Sequence, residues 1–167
     1  MIGLLPKLGL AMTQIQQALQ DQYAKKSICF GCGPSNDHGL QLKSFVAKDS
    51  IIARFTPKPF HHAFPKVLNG GIIGALFDCH ANWAACYYLM QAQSLDTPPC
   101  TVTRDFSVQL KRPTPMDHEL FIEAKLERIE HNKAFIHANL SANDILCAEF
   151  TGCFVQVKED HPAYHRW

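Results

Sequence analysis

Asp78 is the one charged residue in the long apolar stretch from Gly70 to Leu95. A carboxylate in apolar surroundings costs several kcal/mol unless it is paired, so a buried acid is usually bonded or functional. The stretch predicts near-total burial of Asp78. Two interpretations follow. Asp78 acts as a catalytic carboxylate, or it is a structural acid bonded to neighbouring backbone or to Asn82, one helical turn later.

A candidate oxyanion site lies where the same stretch begins. Asn69 is a good helix N-cap, and Gly70-Gly71 leaves the first amides unshielded at the positive end of the helix dipole. Asp78 follows about 13 Å further along the helix axis, at roughly 1.5 Å per residue. The two side chains are therefore too far apart to touch. Either an elongated acyl group passes the helix start, or the carboxylate that meets it comes from another subunit.

The cysteines contain one motif, Cys29-Phe30-Gly31-Cys32, among seven cysteines in the chain. A zinc ribbon needs a second C-x-x-C, and a thioredoxin-type redox motif needs a strand before it and a helix after it. Neither is present, and the residues 33–37 that follow are turn-forming. We therefore predict a structural turn rather than a metal or redox site, and we expect most other cysteines to be buried in a protein of a reducing compartment.

The spacing of apolar residues predicts the helices, strands and loops that position these residues. Residues 13–26 predict a surface helix that opens with a T-x-x-Q capping box. Leu40 and Leu42, followed by the run 51–55, predict a hairpin, and the three prolines of 57–69 indicate a loop. The stretch 70–95 predicts a helix that is buried all round. Its polar residues and the lack of basic flanks argue against a membrane span.

Alternating residues predict four further strands, at 105–110, 120–127, 134–140 and 145–157. The expected fold is therefore α+β, an antiparallel sheet of about six strands wrapped around one long central helix, with an extra N-terminal helix packed outside. At 167 residues, the chain is expected to form about one domain with its own core.

The net charge of +1 argues against nucleic acid or an anionic membrane as a partner. The opening residues 1–7 lack the pattern of a targeting signal, so we expect a cytoplasmic protein.

The segment 61–78 resembles the HQGYPGxxHGGxxxxxxD signature of hotdog-fold acyl-CoA thioesterases of the phenylacetate-pathway (PaaI-like) family. Residues 29–36 with Gly39-Leu40 resemble the CFxCGxxNPxGL opening of one branch of this family. Thr103 with Arg112-Pro113 is similar to the T/S…RP pattern in the family's strand that follows the helix. The resemblance runs from about 29 to 157. It implies a hotdog domain at 29–158, an N-terminal helical extension at 1–28 and a C-terminal tail at 159–167.

The resemblance also implies roles for particular residues. Asp78 falls on the catalytic carboxylate, as general base or nucleophile, and Gly70 on the amide that binds the thioester oxygen. Thr103 falls on a hydroxyl that approaches the acid from the partner subunit. Asn69 stands where many members have His and cannot titrate near neutral pH, and Ala63 replaces an Asn of some relatives. The remaining residues expected at the substrate are Gly71, His61, His62 and Phe64.

The implied reaction is hydrolysis of an acyl-CoA or similar thioester, without a metal or cofactor. A thiol has a pKa near about 8.5, so its thiolate departs with little protonation, and one base with an oxyanion site suffices. Two alternatives stay open at this stage: hydration or dehydration of an acyl thioester, with His61 or His62 as the second group, and acyl-CoA binding without catalysis. An unpaired sheet edge predicts a homodimer, with a dimer of dimers as the larger alternative.

Overall fold

The structure is a computed structural model that describes residues 17–164. A long helix packs on one antiparallel sheet, and a short helix and a small hairpin complete the described part of the chain. The elements in chain order are α1 (Leu19–Tyr23), β1 (Ser44–Val46), β2 (Ile51–Phe55), β3 (His62–Phe64), β4 (Val67–Leu68), α2 (Gly70–Ala92), β5 (Thr101–Leu110), β6 (Leu120–Glu130), β7 (Lys133–Ala142) and β8 (Ile145–Gln156).

The main sheet has six strands in the order β1-β2-β6-β7-β8-β5, and every neighbouring pair is antiparallel. Alternate residues are buried most regularly in β7, where Ala134, Ile136, Ala138 and Leu140 are all fully buried. α2 packs against β2, β5, β6, β7 and β8, and its His80 reaches β1 by a hydrogen bond with Ser44. The predicted α+β architecture, a sheet around one central helix, is therefore confirmed.

The segments before α2 differ from the prediction in detail. Leu40 and Leu42 are buried, but their amides donate to the carbonyls of Phe30 and Gly31, so they pack against the cysteine turn and the hairpin begins later, at β1. The predicted loop 57–69 contains a 3-10 turn, Pro59–His61, and the hairpin of β3 and β4. The predicted helix 13–26 is shorter: α1 ends at Tyr23, and residues 13–16 lie outside the described part.

α2 begins at Gly70 as predicted, but it is not buried all round. A stripe of Gly71, Gly74, Ala75 and Asp78 is at least partly exposed, since β5 is the last strand of the sheet on this side and, within residues 17–164, no further strand covers the helix. The predicted near-total burial of Asp78 is therefore wrong for the single chain. Among residues 17–164, no helix combines the length and the hydropathy that a bilayer span requires.

Candidate active site

Asn69 caps α2 with its side chain. Its Oδ1 accepts from the amides of Gly71 at 2.8 Å and Ile72 at 3.3 Å. The predicted N-cap is confirmed, and the amide of Gly71 is thereby engaged by the cap. The Gly70 N–H is the first of the helix, where an amide has no acceptor within the helix itself. A Cβ at Gly70 would lie 3.3 Å from Leu110 Cδ1, so the glycine keeps this start close to β5.

Thr103 holds the carboxylate of Asp78. Its Oγ1 donates to Asp78 Oδ1 at 2.7 Å. The sheet register shifts between Thr103 and Asp105, directly after this residue. The family resemblance places this hydroxyl on a partner subunit, but here both residues belong to one chain, because β5 runs beside α2 within the same fold. The contact lies in a partly buried position.

Asn82 continues this polar row one turn along α2. Its amide nitrogen donates to Thr103 Oγ1 at 3.4 Å, and its Oδ1 accepts from Thr101 Oγ1 at 2.7 Å. Asn82 is 9% exposed. The row therefore supports the acid through Thr103. The sequence interpretation named Asn82 as a possible direct partner of Asp78 from its i, i+4 spacing, but it missed that Thr103 links the two.

A cavity of about 110 Å³ opens beside this contact. Its lining includes Asp78 and Thr103, and also the sulfur-bearing residues Cys29, Cys32 and Cys79. The C-x-x-C segment does form a turn, as predicted, with the Gly33 amide donating to the Cys29 carbonyl at 2.9 Å. The sequence interpretation missed that Cys79, next to the candidate acid in sequence, completes a group of three.

The three thiols share hydrogen bonds. The thiols of Cys32 and Cys79 and the backbone amides of Cys32 and Gly31 direct their hydrogens to the Cys29 sulfur, and this lowers the pKa of Cys29 despite its partial burial. The contact with Cys29 raises the pKa values of Cys32 and Cys79, and burial adds to both. Of the three sulfurs, Cys29 is therefore the one whose thiolate the surrounding hydrogen bonds favour.

A second cavity, of about 320 Å³, lies at the start of α2. Gly70, Phe64 and Arg112 line it, together with Ala63 and Leu110. Lys111 also borders it, but its ammonium pairs with Glu149 at 2.6 Å, and the resulting hydrogen bond lowers the pKa of that carboxyl. Within residues 17–164, Arg112 forms no ion pair with a carboxylate. The candidate acid and the candidate oxyanion amide of one chain thus face different cavities.

The two histidines of the loop are held by local contacts. His61 is buried, its ring stacks on Phe55 with centroids 5.7 Å apart, and its Nδ1 accepts from the Lys58 amide. Burial lowers its pKa, with the nearby Lys58 charge adding to the effect. The exposed His62 uses Nδ1 to contact the Pro59 carbonyl at 2.6 Å. Neither histidine lines either of the two cavities.

His80 lies on the opposite side of α2 from Asp78, as its spacing predicts. Its Nε2 donates to the Ile51 carbonyl at 2.9 Å, so its Nδ1 is the acceptor for the Ser44 hydroxyl at 2.8 Å. Gln20 of α1 in turn bonds Ser44 twice: its Nε2 donates to the Ser44 hydroxyl, and its Oε1 accepts from the Ser44 backbone amide. Complete burial lowers the pKa of His80 to about 4, which keeps this ring neutral. It is a structural residue.

Comparison with solved structures identifies proteins of the same architecture. The chain is 33% identical to a thioesterase superfamily protein from Shewanella loihica PV-4, with a TM-score of 0.60, covering 75% of this chain and 98% of that one. The PaaI protein of the E. coli phenylacetic acid degradation operon is 12% identical, with a TM-score of 0.61 over 71% and 81% of the two chains. The second likeness shows the shared hotdog fold alone.

Comparison with curated sequences gives a more distant match. Acyl-coenzyme A thioesterase THEM4 of Bos taurus is 24% identical over 143 residues, which are 83% of this chain and 55% of that protein. The chain therefore spans about half the length of the curated relatives that it matches. No protein-family model matches the chain.

Proposed function

Because the chain belongs to the thioesterase superfamily, we propose that it hydrolyses an acyl-CoA or a similar thioester to the free acid and the thiol. The observation that carries the proposal is the 2.7 Å hydrogen bond from Thr103 to Asp78, beside a cavity on the helix that starts at Gly70. The name of the THEM4 relatives supports coenzyme A as the thiol.

Asp78 supplies the base or the nucleophile. As a base, it takes a proton from water while the water oxygen bonds to the thioester carbon; the carbon–sulfur bond then breaks and the thiolate leaves. As a nucleophile, its oxygen bonds to that carbon first and the carbon–sulfur bond breaks as the thiolate leaves. Water then cleaves the resulting anhydride, which releases the free acid and restores the Asp78 carboxylate. Both routes use a carboxylate held in one orientation, which the Thr103 hydroxyl provides.

The start of α2 supplies the oxyanion site. The Gly70 amide lies at the positive end of a 23-residue helix, with Asn69 holding the next amides in helical geometry. A carbonyl oxygen that gains negative charge in the reaction is stabilised by such a donor. The guanidinium of Arg112, which forms no ion pair within residues 17–164, lines the same cavity and can donate hydrogen bonds to a phosphate of coenzyme A.

The complete site requires two chains in this proposal. The exposed stripe of α2 lies beside β5, a ten-residue edge strand whose Phe106 and Leu110 are 47% and 58% exposed. A long edge without proline pairs readily with another strand. A two-fold axis beside β5 covers both surfaces and brings Asp78 of one subunit toward the helix start of the other. Within one chain, the acid and the amide lie about 13 Å apart along the helix axis. A homodimer removes this separation because each acid meets the amide of the other chain.

The test is thiol release from a panel of acyl-CoA substrates. We expect Asp78→Asn to lower kcat by roughly 10²- to 10⁴-fold, the usual contribution of a general acid or base. Asp144→Asn is the matched control, because this exposed carboxylate lies in the turn between β7 and β8. Equal rates for Asp78→Asn and the wild type refute the assignment.

Product analysis separates hydrolysis from the two alternatives. An enoyl thioester gives free thiol if the protein hydrolyses it and a hydroxyacyl thioester if the protein hydrates it. A binding protein holds the substrate without either product. The positions of His61 and His62 support hydrolysis, since neither residue lines the cavity that contains Asp78 or the cavity at the helix start that the dimer brings toward it.

A further inference from the structure

Three cysteine sulfurs converge beside Asp78 from two separate segments of the chain. Cys29 and Cys32 come from the turn before β1, and Cys79 comes from α2. All three sulfurs lie within 4.8 Å of one another, and those of Cys29 and Cys79 are 3.6 Å apart. We propose that these three thiolates bind one Zn²⁺ ion, with the fourth coordination position open to the cavity that contains Asp78.

The distances suit a tetrahedral zinc ion. With Zn–S bonds of about 2.3 Å, ligand sulfurs in a regular tetrahedron lie about 3.8 Å apart. The observed separations require shifts of about 1 Å or less in side chains that already face one another. Thiolate ligands select zinc or monovalent copper over hard cations such as Mg²⁺. Zinc is the metal of this set that takes three protein ligands and a solvent molecule in a catalytic type of site.

The fold keeps the turn close enough to the helix for this arrangement. A Cβ at Gly31 would lie 2.3 Å from Cys79 Sγ, so only glycine permits the turn to approach α2 so closely. The amides of Leu40 and Leu42 bond the carbonyls of Phe30 and Gly31 and hold the turn from its other side. The group is therefore built by long-range contacts in addition to the C-x-x-C sequence.

Trp83 donates a hydrogen bond to one sulfur of the cysteine cluster. Its Nε1–H donates to Cys32 Sγ at 3.4 Å from a position one turn after Cys79 on α2. Hydrogen bonds of this kind orient metal ligands and stabilise the negative charge of a thiolate. Trp83 is 2% exposed, so the donor is fixed by packing. We assign Trp83 as a positioning residue of the zinc site.

The proposal goes beyond thioester hydrolysis and stands independently of it. The zinc ion, once bound, joins the turn to α2 and releases the thiol protons to solvent. The binding is measured on the protein without substrate. Failure of zinc binding leaves the hydrolase proposal untouched, and an inactive protein leaves the zinc proposal untouched.

The experiment titrates the reduced full-length chain with Zn²⁺ against a chromophoric chelator, and with Co²⁺ to follow thiolate-to-metal charge-transfer absorption. We expect one metal ion per chain and a rise in Tm on binding. Cys79→Ala and Cys29→Ala each lower the affinity by more than about 100-fold, and Trp83→Phe lowers it by about tenfold or more. Cys147→Ala, which removes a buried thiol elsewhere, retains the wild-type affinity.

Circular dichroism before titration confirms that each variant is folded. The proposal is overturned if the reduced wild type binds no zinc, or if folded Cys79→Ala binds it as tightly as the wild type does. It is also overturned if mass spectrometry of the protein, isolated without reductant, shows a disulfide within the trio and zinc still fails to bind after reduction. One zinc ion that is lost only in the cluster variants supports it.

Discussion

Thr103 and Asp78 form the contact on which the proposed chemistry depends. A carboxylate on a helix surface has several rotamers, and the hydroxyl of a neighbouring strand selects one of them by donating to Oδ1. Asn82 fixes the hydroxyl in turn, through a hydrogen bond of 3.4 Å. The orientation of the acid therefore comes from two further side chains, neither of which is itself acidic or basic.

Replacement of Thr103 tests this orientation. A hydrogen bond to a charged group contributes roughly 1.5–3 kcal/mol, so we expect Thr103→Val to lower kcat by about 10- to 100-fold, with a smaller effect on KM. Thr103→Ser keeps the hydroxyl and retains most of the activity. Steady-state kinetics with one acyl-CoA measures both. A Thr103→Val enzyme with wild-type kcat contradicts the role.

The start of α2 has two roles, a helix cap at Asn69 that stabilises the fold and a proposed oxyanion donor at the Gly70 amide. Asn69 satisfies two amides that would otherwise lack acceptors, and it leaves the Gly70 amide as the foremost donor of the helix. Asn69 is a capping residue because its Oδ1 accepts hydrogen bonds from the Gly71 and Ile72 amides. The absence of a titratable group here is consistent with a thiol leaving group, which needs little protonation.

Two substitutions of Asn69 separate these roles. Asn69→Ala removes the cap, and we expect the free energy of unfolding to fall by about 1 kcal/mol in denaturant titrations. Asn69→Asp preserves the cap but adds a negative charge beside the oxyanion site, so stability is retained while kcat falls. An Asp variant with full activity argues against an oxyanion at Gly70.

A buried polar network connects four elements on the far side of α2. His80 joins β2 through Ile51 and β1 through Ser44, and Ser44 joins α1 through Gln20. Because the ring donates at one nitrogen and accepts at the other, the network needs neutral histidine. Protonation would leave a buried charge facing the hydroxyl it now accepts from.

This network predicts a pH-dependent stability. The ordinary pKa of histidine is 6.5, and that of His80 in the fold is about 4. Below about pH 6.5 the unfolded chain takes up a proton on His80 that the folded chain does not, so stability falls as pH falls towards 4, by on the order of 3 kcal/mol. Above pH 6.5 this contribution is constant.

Denaturant titrations between pH 8 and pH 4 measure the effect. His80→Gln lowers the stability at pH 8 because it disturbs the network, but it flattens the dependence between pH 6.5 and 4. A variant whose stability falls with pH as steeply as that of the wild type shows that other groups cause the loss.

The whole molecule exposes one continuous surface along β5 and the adjoining stripe of α2. Phe106 stacks on Phe150 of the core at 5.4 Å, yet remains 47% exposed because β5 ends the sheet formed by the described residues. Asp78 lies on this same side of the helix. Burial of the acid and closure of the sheet edge therefore depend on one event, the association of two chains.

Charge introduced at this surface tests the association. We expect Phe106→Lys to convert the proposed dimer to a monomer in light scattering and to reduce thiol release at the same time, since the site then lacks its second half. Leu95→Lys alters another exposed apolar residue, 40% exposed, which follows the end of α2 about 25 Å along the helix axis from Asp78, and it leaves both properties unchanged. A wild-type monomer that is fully active refutes the shared site.

Much of this molecule follows from local patterns in the sequence. Alternation predicts β5 to β8, since side chains on one face of a strand must be apolar to meet a core. Asn69-Gly70-Gly71 predicts where α2 begins, and a lone acid in its apolar run identifies Asp78. These signals lie within a few residues of each other, so short-range geometry suffices to interpret them.

The tertiary structure decided what depends on distant segments. The position of β5 at the edge leaves Asp78 partly exposed, and it places Thr103 beside the acid of the same chain. The approach of the turn at Gly31 to α2 brings Cys79 to the other two cysteines. No local periodicity encodes such encounters, because they result from packing between segments about 20 to 50 residues apart, where chain folding rather than helix or strand geometry sets the distance.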